Sequence, residues 1–299
     1  MAGLVPAIHA FLDAKTWMPG TRPGMTWLEW RDYEKTENWM ADALAQARLD
    51  LAIANRIVSH EGIIDAFGHV SMRHPKRPDR YLISYSRSPE VVEPADILEY
   101  TLDSEPVKPL PKGIRGYGEL VIHGEIYKAR PDVNAVSHHH GMAFLPFCNS
   151  GKELVPLYHM GAQIGEKVPF WDSRDEFGDT NLLVLEPEEG RSLAKALGPY
   201  WLVLLRRHGA TVAGKNLIEL VFRTIYTYRN AELQLATQAQ GLPLSPLTPG
   251  EQKMAWDRNL QPRPQARAWE YWCVRLKKKG EYPKVKKAAA KAAARKRKR

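Results

Sequence analysis

The chain has 299 residues, 44% of them apolar, and a formal net charge of +9. Thirteen Lys/Arg and one acidic residue, Glu281, fall within 275–299, so that segment carries +12 and the remainder carries −3; the body is mildly acidic and only the tail is basic. The length allows one large domain or two small ones with a well-buried core. No apolar run approaches the roughly 18 residues of a membrane span.

The two cysteines, Cys148 and Cys273, cannot build a disulfide framework and lack metal-ligand spacing. They suit reduced thiols in a cytoplasmic protein.

Residues 1–34 are read as a leader outside the fold. The apolar run Leu4–Leu12 lacks a basic flank and a small-residue cleavage site, so it is not a signal peptide. The segment resembles leaders translated from repeat elements, and a start at Met25 or Met40 fits. Residues 35–245 are read as the main domain. Leu44, Ala47, Leu51, Ala54 and Val58 recur every three or four residues, which predicts a helix ending near Gly62. Phe67-Gly68-His69 predicts a glycine turn into a strand, and Arg80–Ser84 a second strand. Asp96–Leu102 begins another short element. Residues 107–117 are a Pro/Gly/Lys loop.

A helix is predicted from about Glu119 to Ala129, stopped by Pro131. Val133–His138 is a predicted strand, and a second helix follows Gly141. Residues 171–180 are a charged loop. Asp172, Asp175, Glu176 and Asp179 cluster there without the alternation of a calcium loop, so they read as solvated. Leu182–Leu185 is predicted as a strand, Glu188–Leu197 as a helix and Trp201–Leu205 as a strand. A long helix runs from about Leu217 to Ala239. Residues 246–274 are an aromatic extension (Trp256, Trp269, Tyr271, Trp272), read as a docking segment for a neighbouring subunit. Residues 275–299 are read as a disordered basic tail, open to non-specific nucleic-acid contact but without a recognition motif.

The residues with chemistry lie at 119–140 and at 208. His138 and His140 are two apart, so on a strand both imidazoles share a face, and His139 points the other way. A third ligand must come from elsewhere, and His208, at the end of an apolar strand beside Gly209, qualifies. Three imidazoles leave a coordination position open for substrate, with Glu119 as proton acceptor, proton donor or displaceable fourth ligand. The alternative for each histidine is a hydrogen-bonded polar residue. His123, one turn after Glu119 on an apolar face, reads as a buried histidine supporting the site from behind.

The Glu119 to His138 spacing of nineteen residues, the triple histidine, LLRRHG at 204–209, FGHVSMR and IHGEIYKARPDVNAV together resemble the class II aldolase/adducin family over about residues 40–240. The resemblance implies an α/β fold, a three-layer α/β/α sandwich around a largely antiparallel sheet, and a homotetramer. It implies one divalent ion per subunit, zinc or manganese, on His138, His140 and His208, with Glu119 as catalytic acid/base. The sugar-phosphate aldolases of the family carry asparagine where this chain has His69, and a serine pair where it has Tyr117-Gly118. Both departures remove phosphate contacts. HVSMRHP, RYLISYSRSPE and DILEYTLD look like the branch that decarboxylates hydroxylated aromatic or pyridine carboxylates.

The expectation is therefore a carbon–carbon lyase that decarboxylates such a small-molecule carboxylate through a metal-stabilised enolate. Arg87, Arg115, Tyr117 and Ser84 are candidate substrate contacts. Rival readings are an aldolase or epimerase on a sugar or hydroxy-keto acid, and a non-catalytic adducin-like scaffold.

Overall fold

The computed structural model describes residues 39–284. Helix α1 (Trp39–His60) buries Ala47, Leu51, Ala54 and Val58 on one stripe, as the spacing predicts. It ends where Gly62 takes a positive φ of 73° and the Ile63 amide reaches back to the Val58 carbonyl at 3.1 Å. That is a helix stop only glycine adopts without strain.

Seven strands form one sheet: β1 (His69–His74), β2 (Arg77–Ser84), β3 (Ile97–Thr101), β4 (Ala135–His139), β5 (Phe170–Trp171), β6 (Leu202–Leu205) and β7 (Gly209–Gly214). Their order is β3-β2-β1-β4-β7-β6-β5. Every pairing is antiparallel except β5 with β6. Strand alternation then divides the core in two. Val70, Ala135, Ala210 and Val212 face one cluster, built with α1, the long helix α6 (Leu217–Ala239) and α8 (Pro262–Lys279). Ile83, Val136, Val203 and Ala213 face the other, under α2 (Leu120–Ala129) and α5 (Pro187–Leu197). The result is a three-layer α/β/α sandwich around a largely antiparallel sheet.

The remaining helices are short: α3 (Leu145–Ser150), α4 (Arg174–Phe177) and α7 (Pro249–Asn259). Helix α4 lies inside the charged loop. There Asp172 pairs with Arg206 at 3.0 Å and Asp179 with Arg174 at 3.5 Å, so two of the four clustered carboxylates are spent on arginines.

Three expectations are corrected. Leu182–Leu185 is not a strand. Leu182 has φ 70°, and the amides of Leu182, Leu183 and Leu185 bond to Thr180 Oγ1, Asn181 Oδ1 and Glu189 Oε2 instead of a ladder. Most of the aromatic extension is used within this chain, although Tyr271 stays 57% exposed. Trp269 and Trp272 are 1% and 3% exposed in this chain's own core, and Arg223 stacks on Trp256 at 4.0 Å.

The third correction concerns the tail, which is not disordered from residue 275. Helix α8 continues to Lys279, Leu276 is fully buried, Arg275 pairs with Glu61, and Arg56 Nη1 donates to the Glu281 carbonyl at 2.7 Å. The leader expectation (1–34) and residues 285–299 of the tail lie outside the described residues. Cys148 and Cys273 are free and buried, and no helix among the described residues is long and apolar enough to cross a membrane.

Candidate metal centre

The site is built on the α2 side of the sheet, where three antiparallel strands end. In the register of β1, β4 and β7, His69 stands opposite His138, and His138 opposite Thr211. Two glycines allow this close approach. Gly68, at φ 115°, would put a Cβ 2.9 Å from the His138 carbonyl oxygen, and a Cβ on Gly209 would overlap the His139 carbonyl oxygen. The turn from β6 into β7 holds Arg207 at φ 53° and delivers His208 beside β4.

Strand alternation sorts the triple histidine. His139 is fully buried on the α6 side, against Phe144 at 5.5 Å between rings. His138 and His140 face the other way, with ring centroids 5.2 Å apart. His208 Nε2 lies 3.3 Å from His138 Nε2 and 3.0 Å from His140 Nε2. Glu119, the residue that caps the start of α2, brings its carboxylate to 3.7 Å from His138 Nε2 and 3.5 Å from His208 Nε2. The ligand atoms of Glu119, His138, His140 and His208 all lie within 4.8 Å of one another.

Burial sets the charge states. It pulls His138 well below the ordinary imidazole value, an effect reinforced by His208, and pulls His208 down to about 4, reinforced by His140. His140 is also lowered by burial, with Asp65 opposing. Burial pushes the Glu119 carboxyl up to about 7, against a 3.0 Å hydrogen bond from the Val184 amide. Neutral imidazoles with converging Nε2 atoms are the state that binds a metal. Ligands 2.0–2.1 Å from a tetrahedral zinc stand roughly 3.3 Å apart. The two nitrogen–nitrogen edges, 3.3 and 3.0 Å, lie close to that spacing. Three imidazoles and a carboxylate suit zinc or manganese.

Behind the ligands lie residues with no obvious signature in the sequence. Thr211 Oγ1 is 3.0 Å from His138 Nδ1 and accepts its hydrogen when Nε2 is a ligand. The Val184 amide orients Glu119 from the loop that resembled a strand. His69 Nε2 stands 4.0 Å from Glu119 Oε2. Alternation in GATVAG was the one available signal for Thr211.

The other candidates separate. His123 is fully buried and bonds His69, not a ligand group. Tyr117 packs on His69 at 4.7 Å between rings, and its hydroxyl meets Ser84 Oγ at 2.9 Å and donates to the Arg87 carbonyl at 2.6 Å. Ser84 is thus spent on Tyr117. The Arg87 guanidinium is spent on Asp96, at 2.6 Å. Arg115 is exposed, and its carbonyl accepts the Ser86 amide at 2.8 Å.

Residues 49–235 match the family model of the class II aldolase and adducin N-terminal domain. The chain belongs to this family. It is 30% identical over 251 residues to decarboxylase tropJ of Talaromyces stipitatus, covering 76% of this chain and 92% of that protein. It is 28% identical over 224 residues to 3,4-dihydroxyphthalate decarboxylase of Arthrobacter keyseri, covering 71% and 86%. The solved L-fuculose 1-phosphate aldolase from Glaciozyma antarctica superposes with a TM-score of 0.69 at 21% identity, covering 83% of this chain and 96% of that one. That likeness establishes the shared fold. The decarboxylases among its relatives accord with the branch its motifs resemble.

Proposed function

We propose that the protein is a divalent-metal-dependent carbon–carbon lyase that decarboxylates a hydroxylated aromatic or heteroaromatic carboxylate. The observation that carries this reading is the convergence of three neutral imidazoles and the Glu119 carboxyl on one point. When bound there, a divalent ion supplies electron withdrawal at a substrate oxygen conjugated to the reacting carbon.

The chain's own residues do the rest. His138, His140 and His208 would hold the ion, zinc or manganese, with His138 oriented by Thr211. Glu119, held near neutrality by burial and oriented by Val184, delivers a proton to the carbon that loses the carboxylate. The wall that faces it is His69 and Tyr117, two aromatic rings where the sugar-phosphate aldolases are expected to place phosphate contacts. That wall favours a flat, oxygen-bearing ring over a phosphorylated sugar. Arg87, committed to Asp96, makes a poor partner for a second substrate carboxylate, and Arg115 is the better candidate.

The likeness to two proteins named as decarboxylases, one of them for 3,4-dihydroxyphthalate, supports the same reading. We further read the assembly as a homotetramer in the cytoplasm. Phe67 and Met142, two residues from His69 and His140 in the chain and 70% and 73% exposed, suit cover by a second copy.

The test measures bound metal and carbon dioxide release from ortho-hydroxylated aromatic carboxylates. Wild type is expected to bind about one ion per chain and turn over, and His138→Ala to lose both. Glu119→Gln is expected to keep its metal and lose about 10²–10⁴-fold in rate. Full activity in metal-free His138→Ala would overturn the proposal. Retro-aldol release of an aldehyde without carbon dioxide would favour the aldolase reading.

A further inference from the structure

Four side chains leave the site in single file. His69 Nδ1 is 2.6 Å from His123 Nε2, Ser71 Oγ is 2.6 Å from His123 Nδ1, and Ser71 Oγ is 2.7 Å from Tyr127 Oη. All four are buried, at 3%, 0%, 0% and 1% exposure in the order His69, His123, Ser71, Tyr127. A neutral imidazole has one donor and one acceptor nitrogen. Both nitrogens of His123 are engaged, so the chain has only two self-consistent directions. Either every hydrogen points from Tyr127 toward the site, or every hydrogen points away from it.

Both ends choose the same direction. At the inner end a phenol, more acidic than an alcohol, is the better donor to a serine oxygen. At the outer end His69 Nε2 faces Glu119 Oε2 at 4.0 Å; with Glu119 in its carboxylate form an N–H is attracted there and a lone pair is repelled. Tyr127 therefore donates to Ser71, Ser71 to His123 Nδ1, and His123 Nε2–H to His69 Nδ1. His69 is left with its hydrogen on Nε2, aimed into the site. In this direction each ring accepts a hydrogen at its Nδ1, so both imidazoles are neutral. The chain stops at a buried phenol with Arg73 over its ring at 4.9 Å, so it orients a group and does not conduct protons from solvent.

We propose that Tyr127, Ser71 and His123 are positioning residues that lock His69 as the Nε2–H tautomer, giving the site a fixed, uncharged hydrogen-bond donor for an anionic oxygen of the substrate, a carboxylate or phenolate. The substrate class rests on the function proposed above; the tautomer does not.

Two measurements separate these parts. Two-bond proton–nitrogen NMR on metal-free, histidine-labelled protein reads the tautomers directly, with His69→Asn assigning the His69 signals. Hydrogen on Nε2 of both His69 and His123 is expected, and hydrogen on Nδ1 of both overturns the proposal whatever the enzyme acts on. Salicylate binding to the zinc-loaded protein then tests the consequence. Tyr127→Phe is expected to weaken it about tenfold, the worth of one well-placed hydrogen bond to an anion. In a His69→Asn background, whose side-chain amide brings its own N–H, Tyr127→Phe is expected to cost nothing further. An equal cost in both backgrounds would make Tyr127 a packing residue and overturn the positioning role.

Discussion

Thr211→Val removes one hydroxyl from behind the site and keeps the side-chain shape. Thr211 is fully buried, stands opposite His138 in the β4–β7 register, and places Oγ1 3.0 Å from His138 Nδ1. When His138 Nε2 serves as a ligand, Nδ1 carries the hydrogen and Thr211 accepts it. Loss of such a partner typically costs about 10–100-fold in metal affinity, or roughly 1.4–2.8 kcal/mol. The upper half of that range is expected, because His138 is fully buried and an N–H stranded there costs about 1–3 kcal/mol in desolvation. Competition against a chromophoric chelator reads the zinc affinity of wild type, Thr211→Val and Thr211→Ser. The serine variant keeps the hydroxyl and should stay close to wild type. Unchanged affinity in Thr211→Val, alongside lost binding in His138→Ala, would mean that packing alone orients His138 and would refute the argument.

Three further outcomes follow from the same structure. Gly209→Ala drives a Cβ into the His139 carbonyl oxygen and to 3.1 Å from His140 Cδ2; it should cost about 1–3 kcal/mol in a denaturant melt and weaken zinc binding with it. Trp269→Ala empties a site only 1% exposed and should cost about 3–5 kcal/mol; a loss too small to measure would mean α8 is not part of the core. Burial pushes the Asp50 carboxyl up to about 7, against a hydrogen bond from Gln46. The folded state therefore holds this proton more tightly than the unfolded one, and the contribution of Asp50 to stability is greatest below the unfolded value of about 3.9 and is lost as pH rises toward 7. Asp50→Asn should raise the melting temperature at about pH 8 and change it little at about pH 4.

The part of this site that was legible in the sequence is the part that depends on period. A strand turns its side chains alternately up and down, so His138 and His140 had to share a face and His139 had to leave it. Helices α1 and α6 were legible for the same reason. Thr211 was missed because β7 is short, opens on glycine and is rich in small residues, which look like a loop. Val184 contributes a backbone amide, and an amide has no side chain to recognise. Leu182–Leu185 carried the apolar run of a strand, yet local side-chain acceptors captured its amides before any ladder could. At the C-terminus, Trp269, Trp272, Cys273 and Leu276 have helical spacing and are buried, but lysines and arginines crowd the same stretch. Net charge described the solvent face of α8 and hid its inner one. The His69 chain needed coordinates, because residues 69, 71, 123 and 127 are brought together only by the packing of α2 on β1.

Charge bookkeeping around the site narrows what it can attract. Burial holds His69, His123, His138 and His208 neutral, and the Arg87 guanidinium is neutralised by Asp96 at 2.6 Å. Glu119, the one acid among the converging groups, sits near its protonation midpoint at pH 7. The protein's own side chains thus offer an anionic substrate little net positive charge at the reacting point. What they offer is direction: an N–H from His69, a proton on Glu119 and two aromatic faces. On the proposed function, attraction would then fall to a cation held by His138, His140 and His208. Binding of a carboxylate and loading of the metal are coupled by that division of labour. A sugar phosphate, which needs several fixed donors around a doubly charged group, finds rings at His69 and Tyr117 instead. The aromatic wall at His69 and Tyr117 and the pairing of Arg87 with Asp96 are separate features, and both accord with the flat, chelating acid proposed as substrate.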